Sequence, residues 1–282
     1  HTCAVLDDAT VKCWGHREYG KLGSYTSDIN VGDDPDEMGD NLAVVDLGTN
    51  RTAVSVSAGH EHTCALLDDA TVKCWGRGND GRLGTGSTAH VGYGGNYMNQ
   101  MGDNLAAVDL GTNRTAVSVS AGQEHTCAVL DDAAVKCWGN GADGRLGTGS
   151  TSDVGSGSDQ MGDNLMEVDL GTDRTAVSVS AGHKHTCAVL DDATVKCWGE
   201  GDQGRLGTGS TSDVGSGSNQ MGDNLAPVDL GTNRMAVSVS AGHEHSCAGF
   251  EDATVKCWGK GANGRLGTGS TKNIGDGYGE MG

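Results

Sequence analysis

The sequence predicts an all-β protein made of five copies of one unit of about 60 residues, and three observations support this prediction. First, the stretch HTCALLDDATVKCWG at 62–76 recurs with small changes, and successive leading histidines are 60 to 63 residues apart. Second, 48 of the 282 residues are glycine, whereas two are proline and one is phenylalanine, as in a turn-rich β protein. Third, valine alternates with serine in AVSVSAG, the period of a half-buried strand, and no window has the 3.6-residue apolar period of a long amphipathic helix.

The order of motifs within the unit sets the module boundaries. The His-led segment is followed by an acidic pair and by Val-Lys-Cys-Trp-Gly, and then by GRLGTGS, a variable Gly/Ser/Asp segment, MGDNL, VDLGT and AVSVSAG. We expect the variable segment to be a loop, because loops tolerate variation that a shared core does not. The predicted modules are 1–61, 62–124, 125–184, 185–244 and 245–282, of which the first begins in the middle of a unit and the last is truncated.

Each module contains two cysteines in the pattern C-x9-C, and an acidic residue such as Asp69 lies midway between them. If the segment is a hairpin that turns at the acidic pair, the cysteines lie opposite each other, where Cβ atoms come within about 4.5–5.5 Å. The spacing favours disulfides; free buried thiols and zinc ligation are the alternatives, although zinc sites usually use cysteines two to four residues apart. The expected pairs are Cys3–Cys13, Cys64–Cys74, Cys127–Cys137, Cys187–Cys197 and Cys247–Cys257. Paired cysteines indicate an oxidising compartment and therefore a secreted or cell-surface protein.

The pattern AGxxHTCALLDDATVKCWGxGxxGRLGTGS resembles the repeat of the regulator-of-chromosome-condensation family, and the paired cysteines resemble its secreted members. The resemblance covers essentially the whole chain. It implies a β-propeller with four-stranded antiparallel blades, commonly seven to a ring, and tight turns near the axis at the GRLG glycines. It also implies that the tryptophans of the Trp-Gly motifs pack between blades, namely Trp14, Trp75, Trp138, Trp198 and Trp258.

The charge of the chain bears on its partners. With 38 acidic and 19 basic residues, the formal net charge is −19. This charge repels nucleic-acid phosphates and anionic lipid, so we expect no nucleic-acid partner. No apolar run approaches eighteen residues, and no membrane span is predicted. The acidity suits solubility, cationic partners or divalent ions.

Calcium is the one cofactor that the acidic residues suggest. The densest cluster is GDDPDEMGDNL, in which oxygen ligands alternate with flexible residues, as a hard cation requires. Its candidate ligands are Asp33, Asp34, Asp36, Glu37 and Asp40. Later copies keep only MGDN, with Asp103, Asp163 and Asp223, so a site there would need backbone carbonyls as further ligands. The alternative at all of these positions is a turn in which Asp or Asn caps its own backbone.

Histidines occur in pairs two residues apart, a spacing that places both rings on one side of a strand and can bind a transition metal. The third module has Gln123 in the first of these positions, which favours a hydrogen bond from a histidine at the strand edge to the backbone instead. The pairs are His60/His62, His183/His185 and His243/His245.

We expect no enzyme. The sequence has no Gly-x-Ser-x-Gly elbow and no acid, base or nucleophile that stands out from the repeat background. In a eukaryotic secretory pathway, Asn50 and Asn113 in their Asn-Arg-Thr sequences would be acceptors for N-linked glycans.

The ends of the chain point to assembly. There are five His-led hairpins but four copies of AVSVSAG, so the first hairpin has no preceding strand, and open strand edges seldom persist alone. We expect further copies of the chain or flanking repeats to pair with these edges in a larger ring, an array or a filament. The favoured function is a non-catalytic extracellular structural or adhesive role in a surface filament, appendage or matrix. The alternative is a secreted propeller that binds a protein or glycan through its variable loops, and guanine-nucleotide exchange is less favoured.

Overall fold

The repeated unit folds into a three-stranded antiparallel sheet, and the computed structural model contains five such sheets within residues 1–24, 28–92 and 100–282, the residues that it describes. The prediction of an all-β fold is confirmed, since the described residues contain no α-helix and their helical turns are 3-10 turns of three residues. The strands are β1 (Thr2–Val5), β2 (Val11–His16), β3 (Asn30–Val31), β4 (Ala53–Ala58), β5 (His62–Leu67), β6 (Val72–Gly76), β7 (Ala116–Ala121), β8 (His125–Leu130), β9 (Val135–Gly139), β10 (Ala176–Ala181), β11 (His185–Leu190), β12 (Val195–Gly199), β13 (Ala236–Ala241), β14 (His245–Phe250) and β15 (Val255–Gly259).

Sheets are built from strands that are consecutive in sequence. The first sheet has the order β1-β2-β3, and the others have the orders β4-β5-β6, β7-β8-β9, β10-β11-β12 and β13-β14-β15. Each predicted module boundary therefore falls inside a sheet, because the Ala-Val-Ser-Val-Ser-Ala strand that ends one sequence module pairs with the His-led strand that begins the next.

The acidic pair forms the hairpin turn, as its position predicts. In the second module, the Ala70 amide donates to the Leu67 carbonyl at 2.9 Å, and Ala70 lies in the left-handed region with φ of 61°. A turn followed by one left-handed residue is a common way to connect two strands by a short loop. Asp69 completes the turn, since its Oδ1 accepts from the Thr71 amide at 3.1 Å and from the Thr71 hydroxyl at 2.6 Å. The resulting register places Cys64 opposite Cys74.

Four-stranded blades are not found among the described residues. The position of a fourth strand is occupied by a single β-bridge, such as Gly76 with Val91, in which each residue donates its amide to the carbonyl of the other at 2.8 and 2.9 Å. In the first sheet, the two-residue strand β3 takes this place beside β2. The glycine- and serine-rich sequence after GTGS explains the difference, since it supplies few of the β-branched residues that favour a longer strand.

The Ala-Val-Ser-Val-Ser-Ala strands depart from simple alternation. In β4 the register shifts between Ala53 and Ser55, and Val54 is 63% exposed. A bulge of this kind inserts one extra residue and turns its side chain away from the sheet face that alternation predicts. The same shift occurs in β7, β10 and β13.

The hydrophobic cores lie between successive modules. One core joins Leu66, Val72 and Leu83 of the second module to Leu130 and Trp138 of the third, and three further cores of this kind join the other neighbours. The His-led strands of the second, third and fourth sheets are consequently buried along their whole length on both faces. In β14, buried and half-buried residues alternate, because a neighbouring sheet covers one of its faces. The modules therefore stack, and each depends on its neighbours for its core.

Candidate functional site

The interface between modules contains a chain of buried hydrogen bonds. The carbonyl of Arg82, in the GRLG turn of the second module, accepts from Trp138 Nε1 at 3.1 Å and from Thr126 Oγ1 at 2.9 Å. Thr126 Oγ1 also lies 2.8 Å from His62 Nε2. Since the hydroxyl donates its one hydrogen to Arg82, it accepts from His62, which is therefore protonated at Nε2. The other interfaces use the carbonyls of Lys21, Arg145 and Arg205 in the same way.

Burial keeps these histidines neutral. Burial, followed by the nearby Arg82 guanidinium, lowers the pKa of His62 to about 3, and burial followed by Arg205 lowers the pKa of His185 to about 3. The pKa of His125 is also held well below its ordinary value, first by burial. The prediction that the strand-edge histidines bond to backbone is wrong for these residues, because their partners are the hydroxyls of Thr126, Thr186 and Ser246 in the next module.

The GRLG glycines make tight turns at this interface. Gly84 has φ of 66°, and a Cβ at this position would lie 2.9 Å from Trp138 Nε1 and from Val108 Cγ1. A larger residue would therefore displace the tryptophan of the next module. The tight turns that the resemblance implies at these glycines are present, and they lie against the tryptophan of the neighbouring module.

The five tryptophans differ in their surroundings. Four are fully buried between modules, and each donates its indole N–H to the preceding GRLG turn: Trp75, Trp138, Trp198 and Trp258. Trp14 is half-buried, because among the described residues no other module covers its outer side.

The structure joins the cysteines as five disulfides within hairpins, with no free cysteine among the described residues. The pairs are Cys3–Cys13, Cys64–Cys74, Cys127–Cys137, Cys187–Cys197 and Cys247–Cys257. Each bridge closes a loop of about ten residues and contributes about 2–3 kcal/mol in the chain-entropy model.

Mass spectrometry of the unreduced protein tests this pairing. We expect no thiol that reacts with an alkylating agent, and only peptides linked within a C-x9-C pair, because the register holds each pair across one hairpin. Alkylation without reductant, or a peptide linked between modules, would contradict both the pairing and the oxidising compartment inferred from it.

The acidic cluster of the first module is divided by the fold. Ligand atoms of Asp33, Asp34 and Glu37 come within 4.8 Å of one another, whereas Asp36 and Asp40 are outside this group. Glu37 Oε2 already accepts from the amides of Gly32, Asp33 and Asp34 at 2.6, 3.1 and 3.0 Å. These contacts are those of a side chain that caps a turn, the alternative that the sequence leaves open here, and they use one of the two oxygens of Glu37.

The later MGDN aspartates also have protein partners. Asp103 accepts from the Thr49 amide at 2.7 Å through Oδ1 and from the Thr49 hydroxyl at 2.6 Å through Oδ2. These hydrogen bonds, that of the hydroxyl first, lower the pKa of the Asp103 carboxyl. Asp163 and Asp223 bind Thr112 and Thr172 in the same way.

A buried lysine completes this contact. Lys73 Nζ donates to the carbonyls of Leu47 at 2.9 Å and Gly102 at 2.8 Å, and thereby ties the segment before its sheet to the segment after it. Lys136 and Lys196 repeat the arrangement. Our sequence analysis missed this role, although the lysine of Val-Lys-Cys is unchanged in all five copies.

Four modules converge at one opening. It is lined by Ala58–His60, Ala121–Gln123, Ala181–His183 and Ala241–His243, the residues that directly precede the His-led strands. Backbone hydrogen bonds join successive modules here: the amides of His60, Gln123 and His183 donate to the carbonyls of Gly122, Gly182 and Gly242 at 3.0–3.1 Å. The members of each predicted histidine pair are therefore separated, since one lines this opening and the other is at the module interface.

The outer modules each leave one interface face uncovered. At Gly264 and Gly267 of the fifth module, an added Cβ would meet nothing within 4 Å, whereas at the equivalent Gly204 and Gly207 it would contact the next module. Val255 on this face is 68% exposed, and its equivalent Val195 is fully buried. On the opposite end, Thr2 and Leu6 are exposed. The five sheets therefore do not close into a ring.

Asn50 and Asn113 are exposed at turns with positive φ, so their side chains are accessible to modification. No helix in the described ranges is both long and apolar enough to cross a membrane.

Comparison with known proteins identifies the repeat. Residues 53–82, 116–145 and 176–205 match one model of the regulator of chromosome condensation (RCC1) repeat, and residues 193–248 match a second. The ultraviolet-B receptor UVR8 of Arabidopsis thaliana is 31% identical over 222 residues, 78% of this chain and 44% of UVR8. The human E3 ubiquitin-protein ligase HERC2 is 29% identical over 223 residues, 78% of this chain and 4% of HERC2. The chain thus spans less than half the length of either relative.

Solved structures show the same fold. Human WBSCR16 superposes with a TM-score of 0.57 at 19% identity over 96% of this chain and 76% of that one. Prp20p of Saccharomyces cerevisiae superposes with a TM-score of 0.55 at 19% identity over 98% of this chain and 73% of Prp20p. The segments at 53–82, 116–145 and 176–248 are therefore repeats of the regulator of chromosome condensation (RCC1) type.

Proposed function

We propose that the chain is a non-catalytic extracellular structural protein that assembles head to tail, with further copies of itself or with flanking repeats, through its two uncovered faces. One observation carries the proposal. The same interface occurs four times within the chain, and each outer module displays one half of it without a partner.

The two faces are complementary in their hydrogen bonds. Within the chain, the carbonyl of Arg205 accepts from Trp258 Nε1 and from Ser246 Oγ, both at 2.9 Å. Arg265 occupies the position of Arg205 in the fifth module, so its carbonyl faces outward as an acceptor. The first module offers the matching donors, the hydroxyl of Thr2 and the indole N–H of Trp14.

The apolar surfaces are complementary as well. Val255 would be buried by a neighbouring module as Val195 is, and Leu6 would be buried as Leu130 is. Removing such side chains from water contributes about 1.5–3 kcal/mol for each fully buried residue. A contact between two unlike faces is heterologous. The rotation that relates one copy to the next decides whether the copies close into a ring or continue as a fibre.

The disulfides and the charge support an extracellular location. Five cysteine pairs are typical of proteins that fold in an oxidising compartment. A net charge of −19 suits a protein that stays soluble and does not bind nucleic acid.

Sedimentation at increasing protein concentration, with electron microscopy of the products, tests the assembly. We expect concentration-dependent association that Val255→Asp and Trp14→Ala abolish, because both residues lie on the uncovered faces. Val54→Asp is the matched control: Val54 is 63% exposed but lies on the outward side of a bulge, so the variant should associate like the parent protein. A chain that remains a monomer at every concentration would refute assembly from further copies, and association that survives both face variants would refute the role of the two uncovered faces.

A second candidate function is the binding of a basic protein by the acidic loop of the first module. Two observations favour it. Asp33 and Asp34 are exposed, and the fourth module has serine and glycine at the equivalent positions. Prp20p, which has a similar fold, binds Gsp1p and histones. Charge complementarity would make such binding sensitive to salt. Binding of a basic protein that Asp33→Ser with Asp34→Ser leaves unchanged would remove this candidate. Glycan binding by the loops and guanine-nucleotide exchange are supported by no contact described above.

A further inference from the structure

We propose that His183 and His243 form a binding site for a divalent transition-metal ion at the opening where four modules converge. The two residues occupy the same position in adjacent modules, and their rings stack with centroids 3.7 Å apart and planes inclined by 30°. Imidazole nitrogens are suitable ligands for Zn²⁺, Ni²⁺ and Cu²⁺. This inference is independent of the assembly through the outer faces.

The two rings are close enough to share an ion. A metal about 2.0–2.1 Å from each of two imidazole nitrogens requires these nitrogens to be about 3 Å apart, and it lies in the plane of both rings. Because the rings are stacked with their planes inclined by 30°, one ring must turn out of the stack before both nitrogens point to the ion. The backbone of His183 is held in place, because its amide donates to the carbonyl of Gly242.

The imidazoles have nitrogen available for a metal. His183 Nδ1 is buried and has no hydrogen-bond partner in the part of the chain that the structure describes. Nearby positive charge is balanced, since Arg205 and Lys184 both pair with Glu200.

The chain contains its own comparison for this site. Gln123 occupies the equivalent position before the His-led strand of the third sheet, so the fold accepts glutamine there. Among the residues that line the opening, two histidines follow each other only before the His-led strands of the fourth and fifth sheets. His60, before that of the second sheet, has Gln123 as its neighbour and provides one imidazole. The site is therefore specified by a single difference between modules, and a single substitution should remove or duplicate it.

Isothermal titration with Zn²⁺ and with Ni²⁺, in millimolar Ca²⁺ to occupy carboxylate sites, tests the proposal. We expect one ion per chain, and at least ten-fold weaker binding in His183→Gln and in His243→Gln. The substitution His16→Gln, at an exposed histidine that does not line the opening, should leave the affinity for the metal unchanged. Gln123→His should raise the stoichiometry or the affinity, because it places four histidines in succession around the opening.

Thermal unfolding of the same variants separates loss of a ligand from loss of the fold. The variant His183→Gln should unfold at the temperature of the parent protein without metal, and Zn²⁺ should raise the unfolding temperature of the parent protein but not of the variant. Equal affinity in the parent protein, His183→Gln and His243→Gln would overturn the assignment, as would no binding at all by the parent protein.

Discussion

Replacing Trp138 with alanine will destabilise the protein by about 3–5 kcal/mol, the usual cost of removing a buried aromatic side chain from a core. Trp138 is fully buried between the second and third modules and packs against Gly84, which has no side chain to fill the space it would leave. The change also removes the indole N–H that donates to the Arg82 carbonyl. The free energy of unfolding, measured in urea by circular dichroism, checks the size of the effect.

Trp14→Ala is the matched control for this measurement. Trp14 has the same sequence context but is half-buried, since no module packs on its outer side. At a protein concentration low enough to prevent association, we expect the loss to be well under half of that in Trp138→Ala. Equal losses at both positions would show that tryptophan stabilises the hairpin itself and not the stack of modules.

The difference between Trp138 and Trp14 also shows which contacts can be predicted from the sequence. The hairpin register was predictable, because Cys64 and Cys74 lie symmetrically about the turn, and local symmetry within fifteen residues is visible in the sequence. The partner of Trp138 was not predictable in this way. Its indole binds a carbonyl 56 residues away, and such contacts depend on how modules stack.

Two other departures have local physical causes. Val54 appeared as an inward residue of an alternating strand, but the bulge between Ala53 and Ser55 turns it outward, and the sequence contains no glycine or proline to indicate the bulge. Glu37 appeared as a calcium ligand, but three backbone amides that point into the same turn take one of its oxygens. In both cases the backbone decides the role of the side chain: the bulge sets the direction of Val54, and the amides of the turn bind Glu37.

The buried histidines of the module interfaces should make the protein sensitive to mild acid. His62 and His185 have a pKa of about 3 in the folded protein and an ordinary pKa near 6.5 when the chain unfolds. Between these values the unfolded chain binds more protons, so the stability is complete above about pH 6.5 and falls as the pH decreases toward 3. The aspartates with lowered pKa values act in the same direction, but below about pH 4.

We therefore expect the free energy of unfolding to fall by about 4 kcal/mol between pH 7 and pH 5, about 2 kcal/mol from each of these two histidines, with a further loss from His125. Urea unfolding at a series of pH values measures the slope. His185→Gln preserves a side-chain N–H that can donate to Ser246 but cannot be protonated, so it should reduce the loss by about 2 kcal/mol. His16→Gln changes an exposed histidine and should leave the slope unaltered. If His185→Gln keeps the full acid sensitivity of the parent protein, the buried imidazole is not its source, and the neutral hydrogen-bonded state inferred for the interface is wrong.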